Sequence, residues 1–154
     1  MNPEIKDIAE IPIAYMSHKG DYNEMATVWQ RFMPLIASNN LITPETKFLG
    51  VYYDDPGETP AEQLRSEVCI TVPASFKPFD NIQYRTIPAG KYAVFLYKGP
   101  YEDSPEFYGK IYHEWIPNSG HTPSETPCFE RYLNSPEDTA PEELLTEIYV
   151  SLED

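Results

Sequence analysis

The chain repeats itself, and a repeat requires the fold to be assembled from two copies of one supersecondary unit. Lys19-Gly20-Asp21-Tyr22 returns 79 residues later as Lys98-Gly99-Pro100-Tyr101. The same offset carries Asn39 to Asn118, Thr43-Pro44 to Thr122-Pro123, Tyr53 to Tyr132, Glu58 to Glu137 and Ala61 to Ala140. Ile11-Pro12 matches Ile87-Pro88 slightly earlier, and Glu67-Val68 matches Glu147-Ile148 near the end. The order is kept almost without gaps. At 154 residues this describes one domain of two half-repeats, about 1–78 and 79–154.

Each half reads as strand, turn, helix, strand, strand. The first strands are Ile11 to Ser17 and Tyr84 to Tyr97, the second interrupted at Pro88-Ala89-Gly90. A Gly-x-Tyr turn follows each. Met25, Val28, Trp29, Phe32 and Ile36 then recur at helical spacing, as do Phe107, Tyr108, Ile111, Tyr112 and Trp115. Pro34 predicts a kink or an early end to the first helix, and Pro117 an end to the second. Lys47–Tyr53 and Cys128–Leu133 read as the next strands, and Asp54-Asp55-Pro56-Gly57 as a loop. Pro60 to Leu64 reads as a short helical turn. Val68, Ile70 and Val72 alternate with polar residues, as do Ile148, Val150 and Leu152, so each last strand has one packed face. The expected fold is α+β: a tandem duplication of a β-α-β-β unit, an antiparallel sheet with two main helices on one face, and a groove between the halves. Such grooves favour ligands.

Composition removes several function classes. Asp+Glu is 25 against Lys+Arg 11, a formal net charge of -14. That surface repels phosphate backbones and anionic lipid, so no direct nucleic-acid or membrane partner is expected. A hydrophobic content of 41% is too high for a disordered acidic chain. The first residues hold no basic stretch followed by an apolar run, and no segment approaches ~18 uninterrupted apolar residues. The expected location is the cytoplasm, where Cys69 and Cys128 are free thiols. His18, His113 and His121 lack metal-ligand spacing. No Gly-x-Ser-x-Gly elbow, Gly-rich phosphate loop or His-Glu-x-x-His motif occurs, so neither metal nor cofactor is expected.

One carboxylate stands out. Glu130 lies mid-strand in Cys128-Phe129-Glu130-Arg131-Tyr132-Leu133, and the offset of 79 pairs it with Val51. A buried carboxylate pairs, protonates or awaits a cation. The alternative is that Glu130 lies on a solvated face, or pairs with Arg131 or a lysine across the sheet. Tyr132 shares its strand face. Tyr108, Tyr112 and Trp115 share a helical stripe, which reads either as core or as an aromatic wall suited to a lipophilic cation.

Longer motifs resemble a known family. Val51-Tyr52-Tyr53-Asp54-Asp55-Pro56, continuing as Glu58-Thr59-Pro60-Ala61-Glu62 to Leu64-Arg65, is similar to the DNA gyrase inhibitor proteins of the GyrI-like family. So are Thr71-Val72-Pro73, Gly90-x-Tyr92-Ala93-Val94, and Pro127-Cys128-Phe129-Glu130 with Tyr132-Leu133-Asn134. The likeness begins at Asn2 and covers nearly the whole chain. It implies the duplicated module already described. It also implies a stand-alone protein that binds DNA gyrase, restrains supercoiling and lessens the effect of gyrase-directed toxins. In drug-sensing relatives a strand glutamate matching Glu130 meets cationic ligands in an aromatic pocket. The resemblance carries that role to Glu130 and Tyr132, and extends it to Tyr149 and Tyr108. Tyr112, Trp115 and Tyr53 complete the candidate set. Some relatives hydrolyse small electrophiles with the pocket glutamate, an activity that no residue here singles out. Pro100-Tyr101-Glu102-Asp103-Ser104-Pro105 and Trp115-Ile116-Pro117 look more like the ligand-sensing relatives. The partners so implied are DNA gyrase and a small lipophilic or cationic molecule.

Overall fold

The computed structural model describes residues 2–153. The described residues form eight strands: β1 Glu4–Ile8, β2 Ile11–Lys19, β3 Phe48–Tyr52, β4 Arg65–Thr71, β5 Gln83–Ile87, β6 Gly90–Lys98, β7 Cys128–Tyr132 and β8 Leu145–Leu152. With two main helical segments they make an α+β fold whose described pairings are antiparallel. The chain divides into two compact units, Glu10–Pro88 and the remainder of the described residues.

In Glu10–Pro88 the strand order is β3-β4-β2-β5. Helix α1 spans Met25–Ser38 and buries Met25, Val28, Phe32 and Ile36. These pack on Ala14 and Met16 of β2, Val68 and Ile70 of β4, and Val72 and Ile82. The helix runs through Pro34 instead of ending there. Pro34 removes a bond to the carbonyl of Gln30, but both residues are exposed, so the interruption falls on the solvent side of the helix while the apolar stripe stays buried.

The other unit has the order β1-β6-β8-β7. Its helical segment has three parts: α2 Ser104–Lys110, a wide π turn Ile111–Trp115, and α3 Ile116–Ser119. Phe107, Tyr108, Ile111, Trp115 and Ile116 cover Ala93, Phe95 and Tyr97 of β6 and Ile148, Val150 and Leu152 of β8. Pro117 does not end this segment. The Ile116 N–H closes the π turn onto the Ile111 carbonyl, and Pro117 then begins a new turn, where no donor is required. Termination comes at Gly120, with φ +78. A Cβ there meets nothing within 4 Å, so only the left-handed backbone opposes substitution. Gly120→Ala is expected to cost about 1 kcal/mol in chemical denaturation; a neutral result would show that this end relaxes freely.

Several strands depart from the expected pattern. β4 and β8 are packed on both faces and not on one, since Glu67 and Cys69 of β4, and Tyr149 and Ser151 of β8, are buried as well as the alternating apolar residues. The interrupted run from Tyr84 to Tyr97 is two strands in different units: β5 pairs with β2, and β6 with β1 and β8. Residues 79–88 therefore stay with Glu10–Pro88, although the repeat puts its midpoint near 78. β1 gives no clear period-2 signal, because it is an edge strand whose side chains are mostly charged and exposed.

The ladders correct the repeat alignment by one residue. Gly20 N–H donates to the Leu64 carbonyl at 2.8 Å, and Gly99 N–H to the Leu144 carbonyl at 2.9 Å. β3–β4 sets Gly50 opposite Val68 and Tyr52 opposite Ser66. β7–β8 sets Glu130 opposite Ile148 and Tyr132 opposite Thr146. Glu130 thus corresponds to Gly50 and not Val51, and Tyr132 to Tyr52 and not Tyr53. The difference matters because one residue of slip moves a side chain to the opposite sheet face.

Candidate functional site

Strand alternation places Cys128, Glu130 and Tyr132 on the face that α2 and the π turn cover, and Phe129 and Arg131 on the other. Glu130 is 8% exposed. Tyr132, two residues along the strand, donates its hydroxyl hydrogen to Oε1 at 3.0 Å. Tyr108, from α2, donates to Oε2 at 2.5 Å. Among the described residues no lysine or arginine pairs with Glu130, and Arg131 lies on the other face beside Glu147, at 3.7 Å. The solvated and Arg131-paired alternatives are both excluded by this geometry. Burial pushes the Glu130 carboxyl above its ordinary range, and the two phenol hydrogen bonds, which favour the carboxylate, only partly offset it.

Two neighbours escaped the sequence reading as site residues. Tyr101 sets its ring edge-on to Tyr132, with centroids 5.7 Å apart. Burial, and then the Glu130 charge, push its hydroxyl up. Its signal was the Gly-x-Tyr turn just before the helix. Cys128 lies on the Glu130 face, with the Tyr112 hydroxyl 2.7 Å from its sulfur. Burial raises its pKa, which keeps it a thiol and poorly nucleophilic. Period-2 spacing from Glu130 was the clue.

The remaining candidates fall elsewhere. Trp115 packs edge-on against Phe95 at 5.2 Å and stacks on His121 at 6.0 Å, as part of the core. Tyr149 does not face Glu130. It lies opposite Phe129 on the far side of the sheet, stacks on that ring at 4.3 Å, and donates to Glu147 at 3.0 Å. Burial and Glu147 push its hydroxyl to about 12. Tyr53 is engaged inside the other unit, donating to Glu67 at 2.7 Å and accepting from Arg85 at 3.1 Å. Glu130, Tyr132, Tyr108, Tyr112, Tyr101 and Cys128 therefore form the cluster. Its chemistry is that of a dehydrated carboxylate among phenols, able to hold a cation against aromatic faces.

Comparison with known proteins agrees with this architecture. The profile of the GyrI-like small molecule binding domain matches residues 1–153. A DNA gyrase inhibitor of Erwinia billingiae is 33% identical over 140 residues, covering 87% of each chain. One of Yersinia enterocolitica is 34% identical over 95 residues, 59% of this chain and 60% of that one. Among solved structures, EcmrR in its DNA complex superposes with a TM-score of 0.85 at 20% identity. That match covers 99% of this chain and 57% of EcmrR, so the chain spans little more than half of that protein. SAV2435 bound to tetraphenylphosphonium gives a TM-score of 0.68 at 17% identity, over 99% of this chain and 94% of that one. At such identities the structural likeness is one of fold.

Proposed function

Since residues 1–153 place this chain in the GyrI-like small molecule binding domain family, we propose that it binds an amphipathic cation whose charge is taken by Glu130. The observation that carries this reading is a buried carboxylate held by two tyrosine hydroxyls with, among the described residues, no cationic side chain beside it. Folding leaves that charge without a counterion, so a ligand cation recovers electrostatic energy that a neutral molecule cannot. Tyr108, Tyr132 and Tyr101 supply aromatic faces. A similar fold holding tetraphenylphosphonium supports the ligand class. The test is calorimetric titration with tetraphenylphosphonium beside neutral tetraphenylmethane of the same shape. Binding of the cation alone is expected, and equal or absent binding of both overturns the reading.

A second reading, inhibition of DNA gyrase, is favoured by the relatives' name at 33% identity across most of both chains. The net charge of -14 fits contact with basic protein surfaces and opposes contact with DNA. A supercoiling assay with purified gyrase is expected to slow on addition of the protein, while a mobility-shift assay with duplex alone shows no complex. Unchanged supercoiling refutes this second reading and leaves the first standing.

A further inference from the structure

The two units carry corresponding ladders but complete them differently. In β4, Ser66 is 1% exposed, and its hydroxyl donates to the Met25 sulfur at 3.1 Å. The corresponding residue of β8 is Thr146, opposite Tyr132 as Ser66 is opposite Tyr52. Thr146 is 2% exposed, and its Oγ1 has no hydrogen-bond partner among the described residues. Met25 opens α1, whereas α2 opens with Ser104-Pro105 and offers no sulfur acceptor. Tyr22 and Tyr101 differ in the same sense. The Tyr22 hydroxyl accepts from the Asp54 N–H and lies 3.0 Å from the Asp54 and Arg65 carbonyl oxygens. Tyr101 is 36% exposed, and among the described residues its hydroxyl has no such backbone clamp. Gly50, finally, stands where the second unit has Glu130.

At this ladder position the Glu10–Pro88 unit thus gives its buried hydroxyl a partner, and the other unit gives its own none among the described residues. Buried hydroxyls without partners are uncommon in native proteins, because nothing replaces the lost water. Thr146 and Glu130 occupy the same sheet face, since residues directly opposite in a ladder project to the same side. They are diagonal neighbours on adjacent strands, about 7–8 Å apart. We propose that Thr146 is a ligand-contacting residue of the Glu130 site, and that the bound cation carries a hydroxyl or carbonyl group which hydrogen-bonds the Thr146 hydroxyl. The inference rests on the cation-binding reading above and narrows it. A purely hydrocarbon cation satisfies Glu130 and leaves Thr146 bare, whereas a cation that carries an oxygen on one of its arms, away from the charge centre, satisfies both.

The test uses two probes, tetraphenylphosphonium and (4-hydroxyphenyl)triphenylphosphonium, titrated against wild type, Thr146→Val, Thr146→Ser and Glu130→Gln. Wild type is expected to prefer the hydroxylated probe by roughly three- to tenfold, the worth of one buried neutral hydrogen bond. Thr146→Val should abolish that preference, bringing the affinity for the hydroxylated probe down to that for tetraphenylphosphonium, because the hydroxyl that distinguishes the two is gone. Thr146→Ser keeps the hydroxyl and should keep the preference. The thermal midpoint of ligand-free Thr146→Val should equal or exceed that of wild type, since a methyl group replaces an unpartnered hydroxyl. A preference that survives in Thr146→Val, or equal weakening of both probes, overturns the assignment. Glu130-dependent binding without any preference in wild type removes Thr146 alone. Failure of wild type to bind either probe removes the cation-binding reading as well.

Discussion

Glu130→Gln is expected to weaken binding of a lipophilic cation by roughly 2–5 kcal/mol, the cost of truncating one member of a buried charge pair. The amide keeps the shape of the carboxylate; its oxygen can accept from one of Tyr108 and Tyr132 and its N–H can donate to the hydroxyl oxygen of the other, so the charge is the main thing removed. A neutral aromatic molecule leans on the tyrosine faces alone and should change by less than about 1 kcal/mol. Titration of one charged and one neutral dye against both proteins decides the matter. Equal weakening of the two dyes would mean disturbed packing, and no change in either would remove Glu130 from the site.

The same substitution has a pH signature. The folded protein holds the Glu130 carboxyl above its ordinary range because burial penalises the charged form. Its contribution to stability is therefore present below the unfolded carboxyl pKa and is lost as pH rises through the raised folded value. Glu130→Gln carries no such loss. The variant should melt above wild type at pH 7, and the gap should close in acid below about pH 4, where both states of the wild-type carboxyl are protonated. Cation binding needs the carboxylate, so wild-type affinity should climb with pH over the window in which the variant stays flat. A constant gap between the two melting curves would show that Glu130 does not titrate differently in the fold.

Glu67→Ala is expected to destabilise the protein by about 3 kcal/mol, the lower part of the range for breaking a buried ion pair. The Glu67 side chain is 8% exposed and accepts from Arg85 at 2.5 Å and from Tyr53 at 2.7 Å. Arg85 also lies over the Tyr15 ring, 5.3 Å from its centroid, so it cannot leave for water without breaking that contact. Without Glu67 the guanidinium remains half-buried and uncompensated. The lower figure is taken because the Arg85 side chain keeps 27% of its exposure and some hydration. Thermal melts should show a fall of the order of 10 °C for a domain of this size. A fall of less than about 2 °C would class the pair with solvent-screened surface bridges.

The repeat, the alternation in β4 and β8, and the helical spacing of Met25, Val28, Phe32 and Ile36 are local patterns. They settled the α+β class, the main helices and most strands from the residues alone, because side-chain periods of 2 and 3.6 follow from backbone geometry. The same arithmetic put Tyr132 on the Glu130 face. Three matters had to wait for the tertiary structure. A single residue of register decided that Gly50, and not Val51, answers Glu130, since registers are set by hydrogen bonds between strands distant in sequence. The face of β8 decided Tyr149: its neighbour across the ladder is Phe129, and both point away from α2. Satisfaction of polar groups decided the rest. Ser66 and Thr146 are both small hydroxyl residues in the sequence, and only packing shows that one bonds the Met25 sulfur while the other finds no hydrogen-bond partner among the described residues. Composition and spacing say which residues are available; the energy of a buried carboxylate or hydroxyl depends on neighbours brought in from other elements, and those exist only once the chain has folded.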